Sequence, residues 1–518
     1  MKKQFTTTQV STLYIADPLA VYSSLAKDHV HSLLLESAEI DSKDNLKSIL
    51  VLDSCVRIEC NAQQVDLVAL NQNGQVVLDE ISHHLSDYLI ERTDNQVSFK
   101  FPLPIKDLTE DERLKTANPF QVLRSILQLN HVSKNATDKP QAPVFLGGVF
   151  GYDLIGVVED LTQVEKGENT CPDYVFYLAE TLLISDHQNQ SAELIHYNFS
   201  TAEQHHADQV LADYKQQLSQ LTSDQTPLTT TQLSLDDVRV DVSDQDFCES
   251  VESLKSHIKV GNIFQVVPSR TFSLPCPDSV AAYRKLKKQN PSPYMFYMRD
   301  QNFELFGASP ESAVKYTQSS NEVEIYPIAG TRRRGFNDDG SINLDLDARI
   351  EQELRSDKKE LAEHMMLVDL ARNDVARVSE PGTRYVCDLQ KVDRYSFVMH
   401  LVSRVKGQLR ADLDALHAYQ ACLNMGTLVG APKVKAADLI RQTEQKRRGS
   451  YGGAVGYLTS DGDMDTCIVI RSAFVANGTA HVQAGAGVVF DSVAQSEADE
   501  TRSKAQAVLN AIISSQEA

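Results

Sequence analysis

Apolar residues along this chain gather in short runs bounded by glycine, asparagine, aspartate or serine, and helical spacings interrupt those runs irregularly. A short run rich in β-branched residues reads as a strand, and apolar positions three and four apart read as one face of a helix. On that basis residues 1–60 hold a short helix and then a strand over His31–Glu36, closed by the polar turn Ser37-Ala-Glu-Ile-Asp41. Residues 63–105 read as short strands and turns, with Gln72-Asn-Gly74 as a hairpin signal. Asn118–Leu129 has helical spacing, and Val144–Tyr152 is a glycine-interrupted apolar strand. Cys171–Asp186 reads as a buried strand and Ile195–Phe199 as a short partner. Thr201–Leu221 is a helix opened by a capping box from Thr201 to Gln204. Residues 222–242, rich in Thr, Ser and Asp, lack periodicity and mark a linker. Beyond them Ser243 and Asp246 cap a helix over 244–260. This interleaving predicts an α+β fold rather than a βαβ succession. It divides coarsely into 1–240 and 241–518, with sheets free to intertwine between the two.

The densest pattern lies near the C-terminus. Ala454–Leu458, Thr466–Val475 and His481–Val489 read as strands, and a helix follows. Gly485 and Gly487 weaken the strand they interrupt, so they mark a bulge or a ligand lying against the backbone. Arg471 falls within an apolar strand, where an unpaired charge is costly, and calls for an anion or a structural ion pair. Glu497 and Glu500, three apart at the start of the last helix, share one face. The same spacing recurs at Glu360 and Glu363, on a helix predicted over 345–372. Solvated helix faces carry such pairs too. Two pairs facing each other would make an all-oxygen site, which suits Mg²⁺ better than zinc.

Composition narrows the function classes. A chain of 518 residues with 42% hydrophobic and 23% charged residues has the make-up of a soluble globular protein. Its net charge of −21 disfavours a nucleic-acid partner, which needs a basic footprint. No apolar run approaches a membrane span, and the start Met-Lys-Lys-Gln-Phe lacks the apolar core of a signal peptide. The eight cysteines fit no zinc spacing, so a reduced cytoplasmic setting is the expectation.

Other constellations carry candidate chemistry. Phe306-Gly-Ala-Ser-Pro-Glu311 ends a strand in a turn with an acid at its tip. Desolvation there would make Glu311 a general acid, although a turn or helix start uses the same residues. Tyr326-Pro-Ile-Ala-Gly-Thr331-Arg-Arg-Arg334 joins a strand to a basic turn that is an anion clamp or a surface ion-pair patch. His400, in the apolar run Val-Met-His-Leu-Val-Ser, is a core histidine or an acid–base group. Gly426-Thr-Leu-Val-Gly-Ala-Pro-Lys433 precedes an amphipathic helix and can aim backbone N–H groups at an anion, but it lacks the ending of a nucleotide-binding loop. No Gly-x-Ser-x-Gly or Gly-x-Cys-x-Gly elbow is present.

Taken together these segments resemble the large subunits of anthranilate synthases, a family of chorismate-utilising enzymes. The resemblance rests on Ile263-Phe-Gln-Val-Val-Pro-Ser-Arg270, Asn290-Pro-Ser-Pro-Tyr-Met295, Gly307-Ala-Ser-Pro-Glu311 and Pro327-Ile-Ala-Gly-Thr331. It continues through Asp369-Leu-Ala-Arg-Asn-Asp374, His400-Leu-Val-Ser-Arg404, Gly449-Ser-Tyr-Gly-Gly-Ala454 and the terminal Gly-Ala-Gly and Glu-x-x-Glu elements. The resemblance implies antiparallel sheets packed in the core with helices outside, and a lyase that makes anthranilate and pyruvate from chorismate and ammonia. Ammonia would come from a separate glutaminase subunit, in a heterotetramer of two large and two small chains. Glu363 and Glu500 would bind Mg²⁺ directly, with Glu360 and Glu497 assisting. Gly330, Thr331, Tyr451, Arg471, Gly485, Ala486 and Gly487 would contact substrate. Glu311 would protonate the departing hydroxyl, His400 would assist the loss of pyruvate, and Gln265 and Thr331 complete the catalytic set.

Two positions separate the family from its cousins. Aminodeoxychorismate synthases typically carry a nucleophilic lysine where this chain has Ala329, and isochorismate and salicylate synthases a water-activating lysine where it has Gln265. The resemblance also implies a feedback site for L-tryptophan over Glu36, Ser37, Asn290, Pro293, Tyr294, Met295, Val455, Tyr457, Asp465 and Cys467, with Glu36 or Asp465 pairing with the ligand's ammonium. The absence of tryptophan from the chain fits an enzyme that must be made when tryptophan is scarce. Val429 and Arg333 depart from the serine and proline usual at those places.

Overall fold

Among the described residues one branched antiparallel sheet draws strands from both halves of the chain, and most candidate site residues lie on its strands or on the helices packed against it. The computed structural model describes residues 6–516 apart from 27–28, 38–45, 106–107, 130–141, 201–203, 222–232 and 396. The turn after Ser37, the start of the Thr201–Gln204 cap and most of the 222–242 linker lie outside the described residues.

The ladder can be followed strand by strand. From Ser269–Pro275 it passes through Thr479–Gly485, Ser472–Ala476, Glu304–Ser309 and Tyr294–Arg299. It then crosses into the first half of the chain through Ser32–Glu36, Lys47–Asn61, Tyr174–Asp186 and Phe145–Phe150. It returns through Ala454–Thr459, Met464–Ile468, Ser312–Thr317, Glu322–Ile325 and Val398–Gln408 to Tyr385–Arg394. Strands from before residue 200 therefore sit in the middle of a sheet whose two ends come from after residue 238.

Alternation explains why the central strands read as continuously apolar. Successive side chains of a strand point to opposite faces, and here both faces are covered. Phe296 and Met298 enter one core with Leu33 and Val51, while Met295 and Tyr297 enter another with Leu34 and Leu50. The second core is closed by helices Ser279–Gln289 and Ala494–Ser514. The fold is α+β, as the pattern predicts.

Four sequence expectations are corrected. The hairpin signal at Gln72-Asn-Gly74 begins a helix, Gln72–His84, because the Asn71 side chain accepts the Gly74 N–H at 3.0 Å as an N-cap while Val77, Leu78 and Ile81 bury one face. The helix expected over 345–372 is two, Leu344–Ser356 and Lys358–Ala376. Asp357 is extended between them and its carboxylate caps the second by accepting from Lys359 and Glu360. Asp357 followed by Glu360 is the spacing of a capping signal. The strand expected over Thr466–Val475 is interrupted between Ile468 and Ser472. The last strand stops at Gly485, short of Val489.

Candidate active site

The interruption after Ile468 puts Arg471 in a special conformation. Its φ is +49°, in the left-handed region that costs a residue with a side chain about 1–2 kcal/mol. The Ile468 N–H donates to the Glu311 carbonyl at 3.0 Å, and the Ala308 N–H donates to the Arg471 carbonyl at 3.1 Å. These bonds clamp the Arg471 turn to the corner that carries Glu311. The Arg471 guanidinium has no hydrogen bond or ion pair among the described residues, and its surroundings are dry enough to lower its pKa despite Tyr451, Glu500 and Glu311 nearby. A dry cation without a partner is a receptor for an anion.

Opposite it stand two groups with displaced pKa values. Burial pushes the Glu311 carboxyl up to about 8, outweighing the Thr427 hydroxyl that donates to Oε1 at 3.2 Å and the Ile328 N–H. The acid at the tip of the turn is therefore protonated near neutrality. Burial, helped by the Arg471 charge, holds the His400 imidazole down to about 4, so it is neutral there. Its Nδ1 lies 2.9 Å from Thr331 Oγ1, a contact set by the ladder that pairs Thr331 with His400. Two groups whose environments drive their pKa values apart are suited to acid–base work.

The glycine-rich rim closes the hollow. A Cβ on Gly487 would come within 2.8 Å of Gln265 Nε2, and one on Gly330, at φ +80°, within 3.2 Å of Glu360 Oε2. The Gly487 N–H has no partner among the described residues, whereas the Ala486 N–H donates to the Pro268 carbonyl at 3.1 Å. The Ala486 N–H is thus committed within the fold, and the glycine N–H beside it is the one left open. Gly485 lies against the Tyr451 hydroxyl. Burial raises that phenol to about 12, so it remains a donor.

The glutamates converge at the edge of this hollow. Gln265 Nε2 donates to Glu363 Oε1 at 3.1 Å, Arg332 Nη1 donates to Glu360 Oε1 at 2.9 Å, and Lys504 pairs with Glu500 Oε1 at 2.6 Å. Burial raises Glu363, and the charges of Glu360 and Glu500 raise it further. Burial raises Glu497, and Glu500 adds to that against a hydrogen bond from Ser492. Each carboxylate thus repels the next. Among the described residues no three Asp, Glu, His or Cys side chains close to metal-ligand distance. The donor chemistry nonetheless fits a hard divalent cation: all oxygen, with Glu363 and Glu497 partly desolvated and repelled by their neighbours, while Glu360 and Glu500 are held by Arg332 and Lys504.

Some contributors were not singled out from the sequence. Thr427 sits in a four-residue helix, Gly426–Val429, where a glycine turn had been expected. Lys504 lies four residues after Glu500, a spacing that signals a helical ion pair. Of the two departures, Val429 is fully buried beside Val266, Ile440 and Val488, and Arg333 stacks over Phe336 at 5.8 Å.

A second hollow, of about 610 Å³, opens beside the first. It is lined by Glu36, Ser37, Pro293, Tyr294, Met295, Val455, Tyr457, Asp465 and Cys467. Asn290 caps the helix Ser279–Gln289 and does not line this hollow. The Glu36 carboxylate is engaged by the Tyr283 hydroxyl at 2.6 Å and Lys287 at 2.5 Å, and its side chain is 3% exposed against 23% for Asp465. Asp465 is therefore the more accessible acceptor.

The chain belongs to the chorismate binding enzymes, the family that matches residues 87–510. The chain is 56% identical over 503 residues to anthranilate synthase component 1 of Vibrio cholerae, covering 96% of this chain and 95% of that one. It is 54% identical to the Escherichia coli protein of that name over 500 residues, again 96% and 95% of the two chains. The chain belongs to the anthranilate synthase component 1 family. Among solved structures, anthranilate synthase component I from Streptococcus pneumoniae superposes with a TM-score of 0.68 at 29% identity, covering 95% of this chain and 97% of that one. The menaquinone-specific isochorismate synthase of Escherichia coli has the same fold, with a TM-score of 0.66 at 17% identity, covering 99% of this chain and 95% of that one. Among the described residues no helix is long and apolar enough to cross a membrane.

Proposed function

We propose that the chain converts chorismate and ammonia to anthranilate, pyruvate and water, the first committed step toward L-tryptophan. The observation that carries this is the unpaired Arg471 facing a protonated Glu311 and a neutral His400. Arg471, the Tyr451 hydroxyl and the Gly487 N–H hold the substrate's carboxylates. Glu311 gives its proton to the C4 hydroxyl, which leaves as water while ammonia adds at C2. Loss of the C2 proton then expels pyruvate from C3, with His400 as the neutral base. The buried Gln265 Oε1, which has no hydrogen-bond partner, is an acceptor for an ammonia N–H, whereas activating water calls for a base. Glu363 and Glu500, backed by Glu360 and Glu497, would hold Mg²⁺. Bound there it would supply positive charge to the ring carboxylate.

Ammonia is supplied by a glutaminase subunit, in a cytoplasmic heterotetramer of two large and two small chains. The family's component 1 naming supports a second component. Purified chain given chorismate, MgCl₂ and an ammonium salt should produce fluorescent anthranilate. Accumulation of aminodeoxychorismate, or no turnover, would overturn the assignment.

The second hollow is the feedback site for L-tryptophan. Its aromatic lining, Tyr294 with a Tyr457 backed by Phe145 at 5.2 Å, together with the accessible Asp465 supports an aromatic ammonium ligand. Ser37→Ala should raise the tryptophan concentration for half-inhibition by about tenfold, the loss of about one charge-assisted hydrogen bond. Inhibition curves of both proteins, each scaled to its own uninhibited rate, check this; superimposable curves would exclude Ser37 from the site.

A further inference from the structure

The wall between the second hollow and the catalytic groups is one side chain thick at Tyr395. This residue lines the hollow and is 8% exposed. Its ring lies edge-on against the His400 ring, centroids 5.1 Å apart and planes at 62°. Among the described residues it is the one aromatic ring in contact with His400. Its backbone is held on both sides: its N–H donates to the Val398 carbonyl at 2.8 Å, and its carbonyl accepts from Arg334 Nη1 at 2.7 Å. Asp393, also on the wall of the hollow, stands opposite His400 in the strand ladder and accepts from the Tyr326 hydroxyl at 2.5 Å. Asp393 and Glu311 both act electrostatically on the Tyr395 hydroxyl. The ring therefore has the hollow on one side and the acid–base pair on the other.

Packed interiors transmit displacement because they compress little. A tyrosine is a stiff lever with few rotatable bonds, and His400 is held in place through its contact with Thr331. We propose that Tyr395 is a positioning residue that couples the two hollows: a ligand in the feedback hollow displaces its ring, and the ring carries that displacement through His400 to Thr331, a proposed substrate contact, so that chorismate binds more weakly. A ligand changes activity only through contacts that differ between the two states. The ring edge against His400 is such a contact. This proposal rests on the reading of the hollow as the tryptophan site.

The test separates binding from coupling. The chain contains no tryptophan, so the ligand's own indole fluorescence reports binding against a background without indole. Wild type, Tyr395→Ala and Tyr395→Phe are compared for tryptophan affinity and for the rise in chorismate KM at saturating tryptophan, each relative to its own KM without ligand. Tyr395→Ala should bind within about threefold of wild type yet show a KM rise about tenfold smaller. Tyr395→Phe, which keeps the ring, should regain most of the rise. A full KM rise in Tyr395→Ala, or a Tyr395→Phe as uncoupled as Tyr395→Ala, would overturn the lever. If Tyr395→Ala melts early, Tyr395→Leu fills the space without an aromatic edge and carries the same expectation. Wild type that binds no tryptophan would instead remove the feedback reading, and the lever with it. That outcome is distinguishable because KM is then unmoved by tryptophan in every protein.

Discussion

Glu311→Gln should leave chorismate KM within about threefold and lower kcat by about 10³-fold, the scale of a lost general acid. The amide keeps the shape of the side chain and can still accept from Thr427, but it has no proton for the leaving hydroxyl. The pH profile distinguishes chemistry from packing. With the carboxyl near 8, wild-type activity should fall about tenfold per unit above that pH, and the variant's residual rate should lose this limb. Stability should respond as well. The folded-state pKa lies above the ordinary value of 4.5, so the folded chain keeps a proton that the unfolded chain releases. The resulting stabilisation is complete below about pH 4.5 and is lost as pH rises through about 8. Melting temperatures across that window should therefore decline more steeply for wild type than for Glu311→Gln. Parallel curves would mean that Glu311 titrates normally.

Glu363→Gln should abolish Mg²⁺-dependent turnover, by at least about 10³-fold, through loss of a charged oxygen from a site that needs it. The side chain is already strained by the charges of Glu360 and Glu500, so the neutral variant should be no less stable than wild type without metal. Adding MgCl₂ should then raise the melting temperature of wild type but not of the variant. Binding at a hundred times Kd stabilises a fold by about 2.7 kcal/mol, which a melting curve resolves easily. Glu500→Gln should behave alike, with the further effect of leaving Lys504 held, among the described residues, only by the Gly485 carbonyl. Equal Mg²⁺-induced shifts in all three proteins would rule the carboxylates out as ligands.

Much of this architecture was legible in the chain because its signals are local. The runs at Val144–Tyr152 and Cys171–Asp186 became Phe145–Phe150 and Tyr174–Asp186, and Ser243 caps its helix as its spacing predicts. Arg471 stood out as a charge among apolar residues, but a run of branched side chains cannot reveal that the backbone breaks there. That break depends on hydrogen bonds to Ala308 and Glu311, about 160 residues earlier. Gln72-Asn-Gly74 misled for a related reason: the dipeptide favours a turn, yet Asn71 and the apolar face of Val77, Leu78 and Ile81 outweigh it. Tyr395 carried no signal, and Thr427 lay in a stretch read for its glycines rather than its hydroxyl. Each matters through what a distant strand brings to it.

The passage of the sheet through the first half of the chain bears on how the protein is made. Ser32–Glu36 finds its outer neighbour in Tyr294–Arg299, and Phe145–Phe150 finds its own in Ala454–Thr459. A ribosome that has released residues 1–240 has exposed two hydrogen-bonding edges whose partners have yet to be synthesised. Folding must therefore wait for nearly the whole polypeptide and proceed through contacts of high sequence separation, a slow route that leaves sticky edges open to aggregation. Chaperones that shield nascent strands should raise the soluble yield of the full chain. The two halves produced as separate fragments should be recovered in soluble form only when expressed together.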